Sequence, residues 1–179
     1  LIPYLARRYS VLVGTEDTEM DTNPRMIRTQ GGEIIDRCPE CGAAWAGGRT
    51  CADDFHQMLF WENERPQLGE VHHLMVLCYH LQHPSLYSVQ GLAHARGLLR
   101  EFVVEGLSPQ EVRRRNQLAV DSGQREWRVT ARPGDSGSYE RPPAWTMRAR
   151  DVVAGGIDRY AAGVQTWAQS IVKLLDKGE

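Results

Sequence analysis

Three cysteines in the first third of the chain have a spacing that is typical of metal ligands. Cys38 and Cys41 form a Cys-x-x-Cys pair followed by Gly42, and Cys51 comes ten positions after Cys41. A Cys-x-x-Cys turn brings two thiolates to one side of a tight loop, which is the geometry that tetrahedral zinc needs from its first two ligands. A redox pair would start a helix between parallel strands, whereas a glycine-rich loop follows here. A disulfide is the other alternative, but the sequence shows no export signal. The pattern therefore predicts a zinc site.

The elements that must position a fourth ligand are two consecutive helices. Apolar periodicity predicts helices over 51–63 and 70–82, joined by a turn centred near Gln67. Cys51 lies sixteen residues before this turn and His83 lies sixteen residues after it. In an antiparallel pair both residues are then ~24 Å from the turn, at the same level. The hairpin therefore predicts His83 as the fourth ligand.

Other histidines and cysteines are weighed against this set. His56 follows Cys51 closely and remains an alternative fourth ligand, as does His80, which precedes His83 by three residues. Cys78 lies on the apolar face of the second helix and is expected to be a packed thiol. On that helix His72 lies level with Glu62 near the turn, so we expect these two side chains to form a buried hydrogen-bonded pair.

The remaining elements predict an all-α fold, a bundle of about four to five helices in which the zinc-binding loop precedes the first helical hairpin. Thr50 is the expected N-cap of the first helix, and Asp53 and Asp54 place negative charge in its first turn. Glycines 155 and 156 are expected to kink or break the last helix, residues 121–143 to make a long surface excursion, and residues 126–130 to be the best, though weak, strand candidate. The further predicted helices are 88–105, 108–118 and 147–175.

Length and charge limit the possible functions. A chain of 179 residues is one ordinary domain, and we expect a flexible leader over residues 1–37 and a single zinc-binding helical domain over 38–179. The net charge of −2 gives no global field for nucleic acid or anionic lipid, and no apolar stretch is long enough to cross a membrane. The sequence thus argues against nucleic-acid and membrane partners. We expect a cytoplasmic protein whose partner is unknown, with another protein or a second copy of the chain as the options.

The cysteine motif and the second helix together resemble an uncharacterised bacterial family of unknown function. Its pattern combines a CPxCG start, a downstream cysteine, and a helix with VHxLxV and YxxQHP motifs, which this chain matches between Cys38 and Pro84. Two tryptophan-containing pairs, Trp145-Thr146 and Trp167-Ala168, are similar to the C-terminal part of that family. The resemblance implies no activity. It marks neither His56 nor His80, and the residues that it does mark are Cys38, Cys41, Cys51, His72 and His83.

Two functions of such a site are compatible with the sequence. A closed shell of Cys38, Cys41, Cys51 and His83 would be a structural zinc site that pins a loop to the helical hairpin. An open shell would instead let zinc-bound water attack a substrate, as in a metal-dependent hydrolase, with Tyr79, Gln82 and Glu62 as candidates for positioning or proton transfer. Three thiolates weaken the Lewis acidity of the ion. The sequence therefore favours the structural site, and leaves open whether the protein is an enzyme.

Overall fold

A computed structural model describes residues 26–28, 34–121 and 128–177, and this part of the chain is helical. The predicted all-α class is confirmed. Short 3-10 turns lie at Ala46–Gly48, Pro66–Val71, Pro84–Leu86 and Ile157–Arg159. The six α-helices of the described residues are α1 (Cys51–Glu64), α2 (His72–Gln82), α3 (Val89–Val104), α4 (Pro109–Asp121), α5 (Ala149–Ala154) and α6 (Tyr160–Leu175).

A small antiparallel sheet precedes the helices. Strand β1 (Met26–Arg28) pairs with β2 (Ile34–Asp36), with Ile27 opposite Ile35. These strands are not visible in the sequence, because three residues are too few to show an alternating apolar pattern. They fall within the predicted leader, of which residues 1–25 and 29–33 lie outside the described part of the chain.

The first helix begins at a capping box. The Thr50 hydroxyl accepts a hydrogen bond from the Asp53 backbone N–H at 3.4 Å, and the Asp53 carboxylate accepts one from the Thr50 backbone N–H at 2.8 Å. This reciprocal pair satisfies two backbone donors that a helix start would otherwise leave unpaired. Cys51 is consequently fixed as the first residue of α1.

Helix α2 lies at the centre of the core. It packs against α3 and α6, and its side chains Met75, Cys78 and Leu81 are fully buried. The facing helix α6 contributes Tyr160 and Trp167, which are also fully buried. A helix that is apolar nearly all round must be covered on several sides, and α2 meets that expectation. None of the helices in the described residues is long and apolar enough to cross a membrane.

In the C-terminal half the structure confirms the expected break at Gly155 and Gly156, and this break increases the number of helices. Gly156 has a φ of 74°, a left-handed conformation that ends α5 and separates it from α6, so the helices number six rather than four or five. The surface excursion expected at 121–143 is described from residue 128 onward, and most of its residues there are exposed, but single residues anchor it to the helices. The Tyr139 hydroxyl donates to the Leu81 carbonyl at 2.9 Å, and Gly137 is buried.

The weak strand expected at 126–130 falls partly on residues 126 and 127, which are outside the described residues. Within the described part, Thr130 makes a single bridge to Tyr87 and no strand. Its neighbour Val129 comes so close to α3 that a Cβ added at Gly91 would lie 2.6 Å from the Val129 carbonyl oxygen. Glycine at position 91 therefore allows this segment to approach the start of α3.

Candidate metal centre

The first two cysteines lie in a tight turn before α1. The Cys38 backbone N–H donates to the Ala43 carbonyl at 2.9 Å, and the Gly42 N–H donates to the Cys38 carbonyl at 3.0 Å. The Cys41 N–H points to the Cys38 sulfur at 3.5 Å. Gly42 has a φ of 71°, which a glycine adopts without the steric cost that a Cβ would add. The turn thus holds both sulfurs on its inner side.

The third sulfur comes from the first residue of α1. The Cys51 sulfur lies 3.4 Å from the Cys41 sulfur, and both residues are buried. The positive end of the helix dipole favours a negative charge at this position. The capping box that starts α1 therefore also fixes the position of the third sulfur.

The imidazole of His83 reaches the sulfurs from the C-terminal end of α2. Its Nδ1 lies 3.0 Å from the Tyr79 carbonyl oxygen, and since a carbonyl only accepts hydrogen bonds, Nδ1 must carry the proton. The other ring nitrogen, Nε2, is buried and has no hydrogen-bond partner. A buried polar atom without a partner costs free energy, and a metal ion would remove that cost.

The four ligand atoms form one compact group. One atom each from Cys38, Cys41, Cys51 and His83 lies within 4.8 Å of all the others, and all four residues are buried. Tetrahedral zinc, with bonds of about 2.3 Å to sulfur and 2.0 Å to nitrogen, would separate its ligands by roughly 3.3–3.8 Å. The observed group therefore needs only small side-chain shifts to surround such an ion.

The pKa values of the group indicate that its members share protons. Hydrogen bonding with Cys41 and then Cys51 lowers the pKa of the Cys38 thiol well below its usual range. Hydrogen bonding with Cys38, and then with Cys51, raises the pKa of the Cys41 thiol. Burial lowers the pKa of His83, but the nearby Cys38 and Cys51 sulfurs favour the charged imidazolium, outweigh burial and raise this pKa to about 10. The buried group thus holds protons that a divalent cation would replace.

The hairpin brings the two helices together in the predicted antiparallel register. The Phe55 and Tyr79 rings have centroids 4.4 Å apart, and each residue is twelve positions from Gln67. Nearer the turn, Glu62 and His72 are each five positions from Gln67 and form a contact of 2.6 Å. The expected hydrogen bond between Glu62 and His72 is therefore confirmed, although the His72 side chain is only partly buried, and the pivot near residue 67 that brings Cys51 to His83 is confirmed as well.

Aromatic rings cover the imidazole. The Tyr79 ring lies 4.1 Å from the His83 ring, centroid to centroid, and the Phe55 ring covers the other part of Tyr79. Burial, followed by the charge of Cys51, raises the pKa of the Tyr79 hydroxyl above its ordinary value. Tyr79 is therefore a neutral, packed ring beside the site and has no free phenolate to offer.

Two arginines at the start of α5 hold the cysteine loop from the opposite side. Arg148 donates from Nε to the Cys41 carbonyl at 2.7 Å, and Arg150 donates to the carbonyls of Ala44 and Arg49. The Arg150 Nε lies 3.6 Å from a carboxylate oxygen of Asp54, which is 2 % exposed. These contacts join residues about a hundred positions apart, and no pattern in the sequence signalled them.

The structure does not bring the competing residues into the group. His56 is exposed on α1, and the His80 ring stacks on Tyr87 with centroids 3.4 Å apart. Burial lowers the pKa of His80 to about 3. Cys78 is fully buried in the core, where burial raises its pKa, as expected for a packed thiol.

Comparison with known proteins identifies a family, but no activity has been assigned to that family. A family model described as a family of unknown function, DUF5946, matches residues 36–176. No curated protein and no solved structure matches the chain. The matched range includes all four residues of the group, together with all six α-helices.

Proposed function

We propose that this chain, which belongs to the family of unknown function DUF5946, is a zinc-binding helical protein with a closed structural site formed by Cys38, Cys41, Cys51 and His83. The observation that carries the proposal is the convergence of four buried ligand atoms from separate parts of the chain. Thiolate and imidazole ligands in a tetrahedral set favour zinc over magnesium or calcium, which prefer oxygen.

The chemistry of the ligands supports a structural role over a catalytic one. Three thiolates and one imidazole complete a tetrahedral shell and leave no position for water. The residues that would assist zinc-bound water are not assembled beside the four ligands: the Gln82 amide donates to the Met147 carbonyl at 2.7 Å, and Glu62 is near the hairpin turn. Two surface cavities of about 400 and 450 Å³ are lined by residues other than the four ligands. Nothing observed favours the hydrolase alternative.

The proposed zinc would join three parts of the fold. It would bind the cysteine loop to the end of α2, while Arg148 and Arg150 connect the same loop to α5. Free thiolates require a reducing compartment, so we place the protein in the cytoplasm. We propose that residues 38–179 form one helical domain behind a flexible leader. This domain would bind another protein or a second copy of the chain.

Metal analysis and cobalt substitution test this proposal. Purified protein should contain one zinc per chain. The cobalt-loaded protein should show the strong visible bands of tetrahedral thiolate coordination, and these bands should stay unchanged when azide or cyanate is added. Bands that move with the added anion would show an exchangeable position and would favour the hydrolase alternative. A protein without stoichiometric metal would contradict both functions.

The fourth ligand is tested with a matched pair of histidine variants. We expect His83→Ala to lose most of its zinc, and its cobalt-loaded form to show altered thiolate bands. His56→Ala should keep the zinc content and the cobalt bands of the wild type. Both changes remove one imidazole, but only His83 contributes an atom to the buried group. Loss of zinc from His56→Ala with retention in His83→Ala would contradict the assignment.

A further inference from the structure

A second polar group lies at the turn end of the same hairpin, away from the metal centre. The Glu62 carboxylate accepts a hydrogen bond from the Tyr160 hydroxyl at 2.5 Å, and its other oxygen lies 2.6 Å from His72 Nδ1. His72 precedes His83 by eleven residues on α2, which separates the two imidazoles by about 16 Å. One carboxylate therefore connects α1, α2 and α6 at a site that is independent of the cysteines.

The direction of each hydrogen bond follows from the groups themselves. Burial, together with the hydrogen bond to Glu62, raises the pKa of Tyr160, so the phenol keeps its proton and donates it. A carboxylate that accepts this bond has a second oxygen free to accept another. His72 must therefore donate from Nδ1, and in the tautomer that this bond selects the lone pair lies on Nε2.

The outer nitrogen of His72 takes no part in holding the helices together. The Glu62 side chain is only 9 % exposed, whereas that of His72 is 37 % exposed. Among the described residues, Nε2 has no hydrogen-bond partner, and it is not among the buried atoms that lack one. A purely structural link between α1 and α2 needs only the bond from His72 Nδ1 to Glu62. The arrangement leaves an accessible lone pair on an imidazole that a buried carboxylate orients.

The geometry points to His72 as a nucleophilic site for acyl groups, oriented by the Glu62 and Tyr160 side chains. A carboxylate on Nδ1 increases the electron density at Nε2 and stabilises the positive charge that the ring gains when Nε2 forms a bond. No second nucleophile is needed, because the imidazole itself carries the reactive atom.

The charges around His72 favour a carbonyl compound over a phosphoryl donor. A phosphoryl group would bring negative charge close to the Glu62 carboxylate. Arg65, the residue that follows α1 at this end of the hairpin, is already paired with Asp158 at 2.7 Å. A neutral ester carbonyl meets no such repulsion. We therefore assign activated esters as the substrate class.

The reaction is balanced without a further reagent except water. His72 Nε2 attacks the ester carbonyl, the N–C bond forms, and the C–O bond to the leaving alcohol breaks with its electron pair. The departing alkoxide takes a proton from water, and the hydroxide so formed is neutralised by the Nδ1 proton that the acylated imidazolium releases through Glu62. A second water then adds to the acyl carbonyl, the N–C bond breaks with its electron pair on the ring, and a proton of that water restores the neutral imidazole as the carboxylic acid leaves. The ring and the carboxylate return to their starting state.

The test uses p-nitrophenyl acetate with the zinc-loaded protein. We expect the wild type to release p-nitrophenolate at least tenfold faster than His72→Asn, in which the amide N–H replaces Nδ1–H and keeps the bond to Glu62. Glu62→Gln should lose at least threefold, and Tyr160→Phe should lose less. His56→Asn is the matched control, because it removes an exposed histidine of α1 and should leave the rate unchanged.

A second measurement on the wild type needs no variant. Diethyl pyrocarbonate, followed by peptide mass spectrometry, should label His72 several times faster than the exposed His56. Equal ester hydrolysis by the wild type and a folded His72→Asn, or labelling of His72 no faster than that of His56, would overturn the assignment. The zinc content of each sample, measured in parallel, separates a failure of this site from a failure of the metal centre.

Discussion

The carboxylate of Asp54 is the strongest test of how the helical domain supports the cysteine loop. Its Oδ1 lies 2.5 Å from Arg49 Nε, and its Oδ2 lies 3.6 Å from Arg150 Nε. Arg150 in turn donates to two loop carbonyls, those of Ala44 and Arg49. We predict that Asp54→Ala destabilises the protein and loosens the loop, because two guanidinium groups then lose their counter-charge.

The magnitude follows from burial. Removing one partner of a fully buried ion pair costs about 3–5 kcal/mol. The Arg150 side chain is 26 % exposed, but that of Arg49 is 41 % exposed, so water can solvate the latter after the substitution. We therefore expect a loss of about 2–4 kcal/mol in the free energy of unfolding. For a chain of this size each kcal/mol lowers Tm by roughly 2–4 °C.

The neighbouring residue provides a matched control. Asp53 occupies the same first turn of α1, so Asp53→Ala loses a similar interaction with the helix dipole, but Asp53 is exposed and only caps the helix. Its loss should cost about 1 kcal/mol. Urea unfolding of the zinc-loaded proteins measures both. An equal cost for Asp53→Ala and Asp54→Ala would refute the reasoning.

A double-mutant cycle separates the ion pair from the other contacts. Arg150→Met keeps the aliphatic packing and removes the guanidinium group. If Asp54 and Arg150 act together, the double variant should be more stable than the sum of the two single losses predicts, by about 1 kcal/mol or more. Simple additivity would show that Asp54 acts through Arg49 alone.

Three further measurements test the site and its surroundings. Zinc binding should tighten as the pH rises toward the raised pKa of His83, about 10, because the ion must displace protons from the group, and competition with a chromophoric chelator should show no plateau near neutral pH. The pKa of His80 falls from 6.5 to about 3 on burial, so its contribution to stability is complete above pH 6.5 and is lost as the pH falls toward 3. Urea unfolding of His80→Gln should therefore show a shallower loss of stability in acid, and a slope identical to that of the wild type would contradict this. Cys78→Ala should lose about 1–2 kcal/mol of stability, since it empties a fully buried position, yet keep one zinc by elemental analysis, whereas Cys41→Ala should lose the metal.

The convergence of the three cysteines and His83 could be predicted from the sequence because these residues obey local rules. A Cys-x-x-Cys turn, a capped helix start at Cys51 and a turn near Gln67 are each visible in a short window. The rise of an α-helix then relates Cys51 to His83 by counting alone. These rules placed four residues from three stretches in one group, which the structure reproduces.

The contacts that support the loop could not be predicted in this way. Asp54 fits a surface position that complements the helix dipole, yet it is 2 % exposed, because Arg150 folds over it from α5. Nothing in a periodic pattern pairs a side chain with one about a hundred residues later. The anchoring of residues 128–143 to the helices could not be predicted for a similar reason, since it depends on single contacts such as the one from Tyr139 to Leu81.

The register of the hairpin explains why α2 carries polar groups at both of its ends. A central helix accepts few polar side chains, and each of these needs a partner. His72 meets Glu62 near the turn, and His83 meets the sulfurs at the open end. A shift of α2 by one residue would turn it by about 100° and move both imidazoles away from their partners at once. The apolar residues of α2 face the core in several directions, so their burial alone does not select one alignment of α1 and α2. The two polar contacts at opposite ends of α2 do select one.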